Sequence, residues 1–171
     1  MLKPFDTGLN VAVLQIASQL FPTGYDVGPE APDTLQKLTA HISATGRMLV
    51  WNGESDATIF GDPEVNWAFR AWHDWAHWAG QFPFDLAGET KAAELQVFHL
   101  VKLYGATDRV VGWASLILAE VIGQAFAFDR TGEFPKDQRA FTRHVAPSYR
   151  RRAQELVESF AADLSKAKLA A

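Results

Sequence analysis

Two imidazoles four residues apart on one helix can grip a single ion, and His73 and His77 form such a pair. Side chains at i and i+4 project from neighbouring points of a helix, so both rings reach one place together, as in H-x-x-x-H metal sites. Asp74 follows His73 directly, and Asn66 and Arg70 complete a narrow polar strip. On a wheel of about 100° per residue, Val65, Ala68, Phe69, Trp72, Trp75, Ala76 and Ala79 gather into one apolar stripe, which Trp67, Ala71 and Trp78 widen around the back. A merely solvated face would carry Lys, Glu and Ala, which form helix better than His, Asn or Asp. The strip therefore reads as a place that binds a metal or moves protons. Its plain alternative is a histidine pair hydrogen-bonded to a carboxylate.

Further candidates lie downstream. Glu120 falls among Val110, Trp113, Leu116, Ile117 and Phe128, with Gln124 one turn on. A carboxylate buried there needs a positive partner, a hydrogen bond, a proton or a metal ion. Arg70 is the candidate salt-bridge partner, and a divalent ion would serve equally. Lys91, Glu94 and Lys102 mark the solvent side of their helix, turning Glu89, Gln96 and His99 inward with Ala92, Leu100 and Leu103. Glu89 also sits in a first turn, where negative charge is favoured. His99 reads as a core histidine and His144 as a surface one. The run Tyr149, Arg150, Arg151 and Arg152 reads as a solvated face that could attract a phosphate-bearing partner.

Six helical stretches must position these groups. The first spans about residues 10–21 and is stopped by Pro22. Asp33 with Gln36 reads as a capping box for a second helix, which carries Leu35, Leu38, His41 and Ile42 and ends near Gly46. Residues 48–51 are briefly extended, and residues 52–61 form a polar loop. Asp62 as N-cap and Pro63 in the first turn start the third helix, whose pattern holds to Gly80. A fourth covers about residues 88–104 and a fifth residues 108–130, before Gly132 and Pro135. The last begins beyond Pro147, with Leu156, Val157, Phe160 and Leu164 inward. Period-two alternation is nearly absent, so the fold class is all-α. The expectation is one helical domain over residues 1–171, with its metal site within residues 41–124.

Composition narrows the chemistry. At 171 residues one core suffices, burying roughly 70% of the unfolded surface. With 48% hydrophobic and 21% charged residues the usage is globular rather than disordered. The absence of cysteine excludes disulfides, thiolate zinc sites and a cysteine nucleophile, so a metal must be held by His and carboxylates. A net charge of −4 argues against indiscriminate nucleic-acid binding. No charged n-region precedes a long apolar run, and no stretch approaches about 18 uninterrupted apolar residues. A cytoplasmic protein without a membrane partner is therefore expected. Neither a Walker-type glycine-lysine motif nor a dinucleotide fingerprint is present.

The order His41, then His73-Asp74, then Glu120 within Leu118, Ala119, Glu120 and Val121 resembles the HD-domain metal-dependent phosphohydrolases. These all-helical proteins take a His from one helix, a consecutive His-Asp from a later one and an Asp from a helix further on. The resemblance covers about residues 33–130. It implies a divalent ion (Zn, Mn, Co, Fe or Mg) held by His41, His73, Asp74 and Glu120. His77 or Glu89 would move protons, Arg70 would steady developing charge, and the substrate would be a nucleotide or other phosphate ester. Two departures stand out. The last ligand is Glu rather than Asp, which widens the cavity required, with Asp129 on a different face as second choice. His77 also stands where nucleotidase-like relatives often place an acidic residue, so the general acid or base is left open. Residues 51–77 look, in addition, like uncharacterised bacteriophage proteins.

Two other readings use the same residues. A helical-bundle iron or zinc protein would employ His73, His77, Glu89 and Glu120 and would need no His41, although the paired Glu-x-x-His motifs of ferritin-like proteins are missing. The string H-D-x-x-H is also similar to the H-E-x-x-H of zinc peptidases, with Asp shorter than the Glu that acts as their base. A non-enzymatic helical interaction protein would let the His and Glu residues satisfy one another in a polar core.

Overall fold

The computed structural model describes residues 2–169. The helices from α1 to α5 each begin where a side chain satisfies free N–H groups. Asp6 caps α1 (Thr7–Leu20), its Oδ1 accepting from the N–H of Gly8 at 2.7 Å and of Leu9 at 3.1 Å. Thr34 caps α2 (Leu35–Thr45). Asp33, expected as that cap, instead pairs with Lys37 at 2.7 Å, because the shorter Thr34 hydroxyl already takes the Lys37 N–H. Gly46 ends α2 with φ 69, the left-handed conformation that glycine adopts without strain. Asp62 and Pro63 start α3 (Pro63–Gly80) at the expected residues. Asp85 caps α4 (Leu86–Tyr104) and Thr107 caps α5 (Asp108–Leu118).

The expected fifth helix is one rod, Asp108–Thr131, interrupted in the middle. After α5 comes a π-helical turn, Ala119–Gly123, and then α6 (Gln124–Thr131), which Gly132 closes at φ 75. The rod has the length and composition to cross a membrane, but 67% of its most apolar window is buried within the bundle. α7 (Gln138–Leu169) runs straight through Pro147, where the sequence suggested a start. Proline removes one N–H from the helical ladder. Packing overrides that loss: Ala146, Ala153, Leu156 and Val157 are buried, and Ser115 Oγ on α5 donates to the Ala146 carbonyl at 2.5 Å.

Two three-residue strands accompany the helices. β1 (Asp26–Gly28) and β2 (Leu49–Trp51) pair in parallel, Val27 opposite Val50. The architecture is thus the expected all-α bundle of six helical rods with a minor strand pair. Its main core joins α1, α3, α4, α5 and α7 around Trp72, Phe60, Leu100 and Ile117. A second cluster, containing Leu38, Met48, Val50 and Ala71 with Trp67, Trp75 and Trp78 packed around it, fastens α2 and the strands to the back of α3. These two seams use up the apolar faces of α3; Asn66 and Arg70 of its polar strip meet the preceding loop, and His73 and His77 turn toward α4.

Candidate metal centre

The strip on α3 meets the first turns of α4, and three ligand-type side chains converge there. His73 Nε2 and His77 Nε2 are 3.1 Å apart. Glu89 Oε2 lies 3.1 Å from the first and Glu89 Oε1 3.4 Å from the second. His77 is wholly buried, while His73 and Glu89 keep 15% and 18% side-chain exposure, so the cluster has one wet edge. Metal–nitrogen bonds of about 2.0–2.1 Å in a tetrahedron put neighbouring ligand atoms roughly 3.3 Å apart. The observed contacts lie near that spacing, each imidazole meeting a different oxygen of Glu89.

A turn of the chain fixes His77. Gln81 ends α3 at φ 51, a left-handed conformation uncommon for a side-chain-bearing residue. The reversal lets the Phe82 N–H donate to the His77 carbonyl at 2.9 Å, and brings the Phe82 carbonyl to 3.0 Å from His77 Nδ1. A carbonyl only accepts, so Nδ1 carries the hydrogen and Nε2 points its lone pair at the cluster. Phe84 stacks on the same ring at 4.3 Å and 14°. The turn can lie this close to α4 because residue 88 is glycine: a Cβ there would stand 1.8 Å from the Pro83 carbonyl oxygen. On the other ring, His73 Nδ1 lies 3.3 Å from Gln96 Oε1. Gln96 is fully buried, and its Nε2 has no partner.

Lone pairs of two imidazoles and a carboxylate repel unless a positive charge sits among them. Without a metal a proton fills that role. Burial opposes an imidazolium at His73, but Glu89, Asp74 and the hydrogen bond to Gln96 outweigh it and raise its pKa to about 9. Burial likewise works against the Glu89 carboxylate, yet His73 and His77 prevail and hold its pKa far below the usual range. Asp74, at the edge of the strip, behaves oppositely. Burial dominates and lifts its carboxyl to about 6, although His73 and His77 pull it down.

His41, a ligand in the HD-like expectation, lies outside the cluster, with its Nε2 buried and without a hydrogen-bond partner. The cause is the tryptophan seam, which docks α2 on the face of α3 away from the two histidines. Glu120 also stands outside the three-residue cluster. It is buried on the π turn and accepts from Thr142 Oγ1 at 2.6 Å. Burial pushes its carboxyl up to about 7 against the Thr142 hydrogen bond, nearby Gln124 and Arg70. Arg70 makes no ion pair with it. Its Nη1 donates to the carbonyls of Trp51 at 2.8 Å and Gly53 at 2.5 Å, and the guanidinium lies over the Trp51 ring. It pins the loop before α3 instead of facing the cluster. His99 accepts from Trp72 Nε1 at 2.9 Å, and His144 is exposed. Asp129 is exposed near the end of α6.

Sequence reasoning turned Gln96 inward but gave it no task. It missed the Phe82 carbonyl and Thr142 entirely, since a backbone acceptor leaves no residue-type signal and Thr142 lies on a stretch of α7 expected to precede the helix. No protein-family model matches this chain, and neither does any curated protein or solved structure, so the functional reading rests on the geometry of these side chains.

Proposed function

We propose that this chain is a divalent-metal protein whose ion is held by His73 Nε2, His77 Nε2 and the Glu89 carboxylate, and that the centre serves metal-assisted hydrolysis. One observation carries the reading: two imidazole Nε2 atoms 3.1 Å apart share a single carboxylate, with one ring's outer nitrogen tied to a backbone carbonyl. Three protein ligands leave a coordination position free, the mark of catalytic rather than structural sites. Two imidazoles favour zinc, iron, cobalt or manganese over magnesium, which prefers oxygen ligands. An ion in such a site supplies Lewis acidity and lowers the pKa of water. Asp74, next to His73 at the edge of the strip, is the carboxylate placed to exchange protons with the cluster. Action on a phosphate ester or nucleotide is the narrower form of this proposal. It draws on the HD-domain resemblance, although His41 and Glu120, which that resemblance would place at the ion, stand outside the cluster, and Arg70, which would steady developing charge, is bound to the Trp51 and Gly53 carbonyls.

The competing reading is a metal-free polar core in which a protonated His73 bridges Glu89 and His77, and the high pKa of His73 favours it. Metal content separates the two. Protein purified without a histidine tag is expected to take up one equivalent of zinc on titration calorimetry and to retain it on dialysis. Failure to bind zinc, cobalt, manganese or ferrous iron would leave only the polar core.

Gln96 gives a finer check. It orients His73 through Nδ1 without touching the ion, and losing such an outer partner typically weakens metal affinity about 10–100-fold. Gln96→Leu is expected to fall in that range on zinc titration. An unchanged affinity would remove Gln96 from any role in aiming His73.

A further inference from the structure

A second concave site lies away from the metal centre, where the N-terminal segment crosses α5 and α7. This cleft of about 720 Å³ is lined by Lys3, Phe5, Trp113, Arg139, Arg143 and Arg150. The three arginines follow one another along a single face of α7 at steps of four and seven residues. Arg139 is anchored: it donates to the carbonyls of Thr58 and Lys3. The guanidinium groups of Arg139 and Arg143 lie over the Phe5 ring at 4.4 and 4.9 Å. Among the described residues, no carboxylate comes within ion-pair distance of Lys3, Arg143 or Arg150. Among the described residues, the one acidic side chain lining the cleft is Asp6, whose carboxylate is already accepting two N–H bonds at the start of α1.

Four cationic groups around one concavity, in a chain of net charge −4, repel one another until an anion enters. The neighbouring arginines do not extend this field. Arg151 pairs with Glu155 at 3.6 Å and Arg152 with Glu94 at 2.6 Å. These two pairings leave Lys3, Arg139, Arg143 and Arg150 as the cations that line the cleft. Its volume falls in the range of about 300–1,000 Å³ typical of small-ligand sites. Guanidinium forks match the paired oxygens of a phosphate group.

We propose that this cleft binds a small phosphate- or diphosphate-bearing molecule through Lys3, Arg143 and Arg150. The site is independent of the metal centre and stands or falls without it. The test uses the full chain, stripped of metal by a chelator and then freed of it, with pyrophosphate and inorganic phosphate as probes in calorimetric titrations. Pyrophosphate is expected to bind more tightly than phosphate, and affinity should drop with added salt. Removing two charge-assisted contacts in the double variant Arg143→Gln/Arg150→Gln should weaken pyrophosphate roughly a hundredfold, at about tenfold per contact. Both side chains are exposed, and the helical circular-dichroism signal will report that the variant folds. Lys3→Gln, which changes the opposite wall, should weaken it about tenfold. The proposal fails if neither anion binds at millimolar concentration, or if the double variant binds pyrophosphate like the wild type. It also fails if a short single-stranded oligonucleotide displaces pyrophosphate at far lower phosphate concentration, which would mark a polymer surface instead.

Discussion

Zinc at a thousandfold excess over its Kd should raise the melting temperature of the wild type by roughly 10 °C, and Glu89→Gln should remove nearly all of that rise. The size follows from linkage: such an excess stabilises the native state by about 4 kcal/mol, and a domain of this length gains about 2–4 °C per kcal/mol. Gln keeps the shape of Glu89 and can still accept from His73, but it brings no negative charge to the point where both Nε2 atoms meet. It is a fairer probe than Ala for that reason. Melts of both proteins, with zinc and with a chelator, check the result. Glu120→Gln serves as the companion variant. Because Glu120 is held by Thr142 and lies outside the cluster, it should keep the full response to zinc. If Glu120→Gln abolished the response and Glu89→Gln preserved it, the ligand assignment would be wrong.

Glu120 should instead govern how stability depends on pH. Its carboxyl is raised from 4.5 to about 7 by burial, so between those values the native state holds a proton that the unfolded chain has released. Stability contributed by this group is then present in acid, falls as pH rises from about 4.5, and is fully lost above about 7. Integrated over that window, the loss is on the order of 3 kcal/mol. Glu120→Gln mimics the protonated form at every pH. We expect it to match the wild type near pH 4 and to exceed it by up to that amount at pH 8. Urea unfolding at both pH values measures the difference directly. The comparison cancels Glu89 and His73, whose own shifts act in both proteins. A difference that stays constant from pH 4 to pH 8 would show that burial does not raise the Glu120 carboxyl in the folded protein.

The parts of this molecule that were readable in the sequence are those governed by local rules. α3 begins and ends at its expected residues because Asp62, Pro63 and the apolar period all act within one helix. The inward turn of Glu89 and Gln96 followed from the charged residues on the far side of α4. Convergence of His73 and His77 needed only their spacing. What escaped depended on partners distant in the chain. Whether Glu89 or Glu120 faces the histidines is decided by which face of α3 packs on α4, and that in turn by tryptophans docking α2 on the opposite side. His41 was placed by motif order alone, which carries no information about that docking. Pro147 misled because its helix-breaking tendency is a local penalty, and the long contact of α7 with α5 exceeds it.

The π turn at Ala119–Gly123 is a place where the chain takes up length without changing direction. Such a turn winds more residues than the about 3.6 of an α-helix, which is how a single extra residue is absorbed inside a helical rod. Loss of one codon within it would restore a plain α rod and leave everything downstream on nearly the same faces, with Phe126 and Phe128 still half in solvent. What it would alter is local: the course of the backbone at Glu120 and its approach to Thr142. A deletion here should therefore cost the fold less than the same deletion within the regular turns of α5 or α6, where the following residues would swing by about 100°.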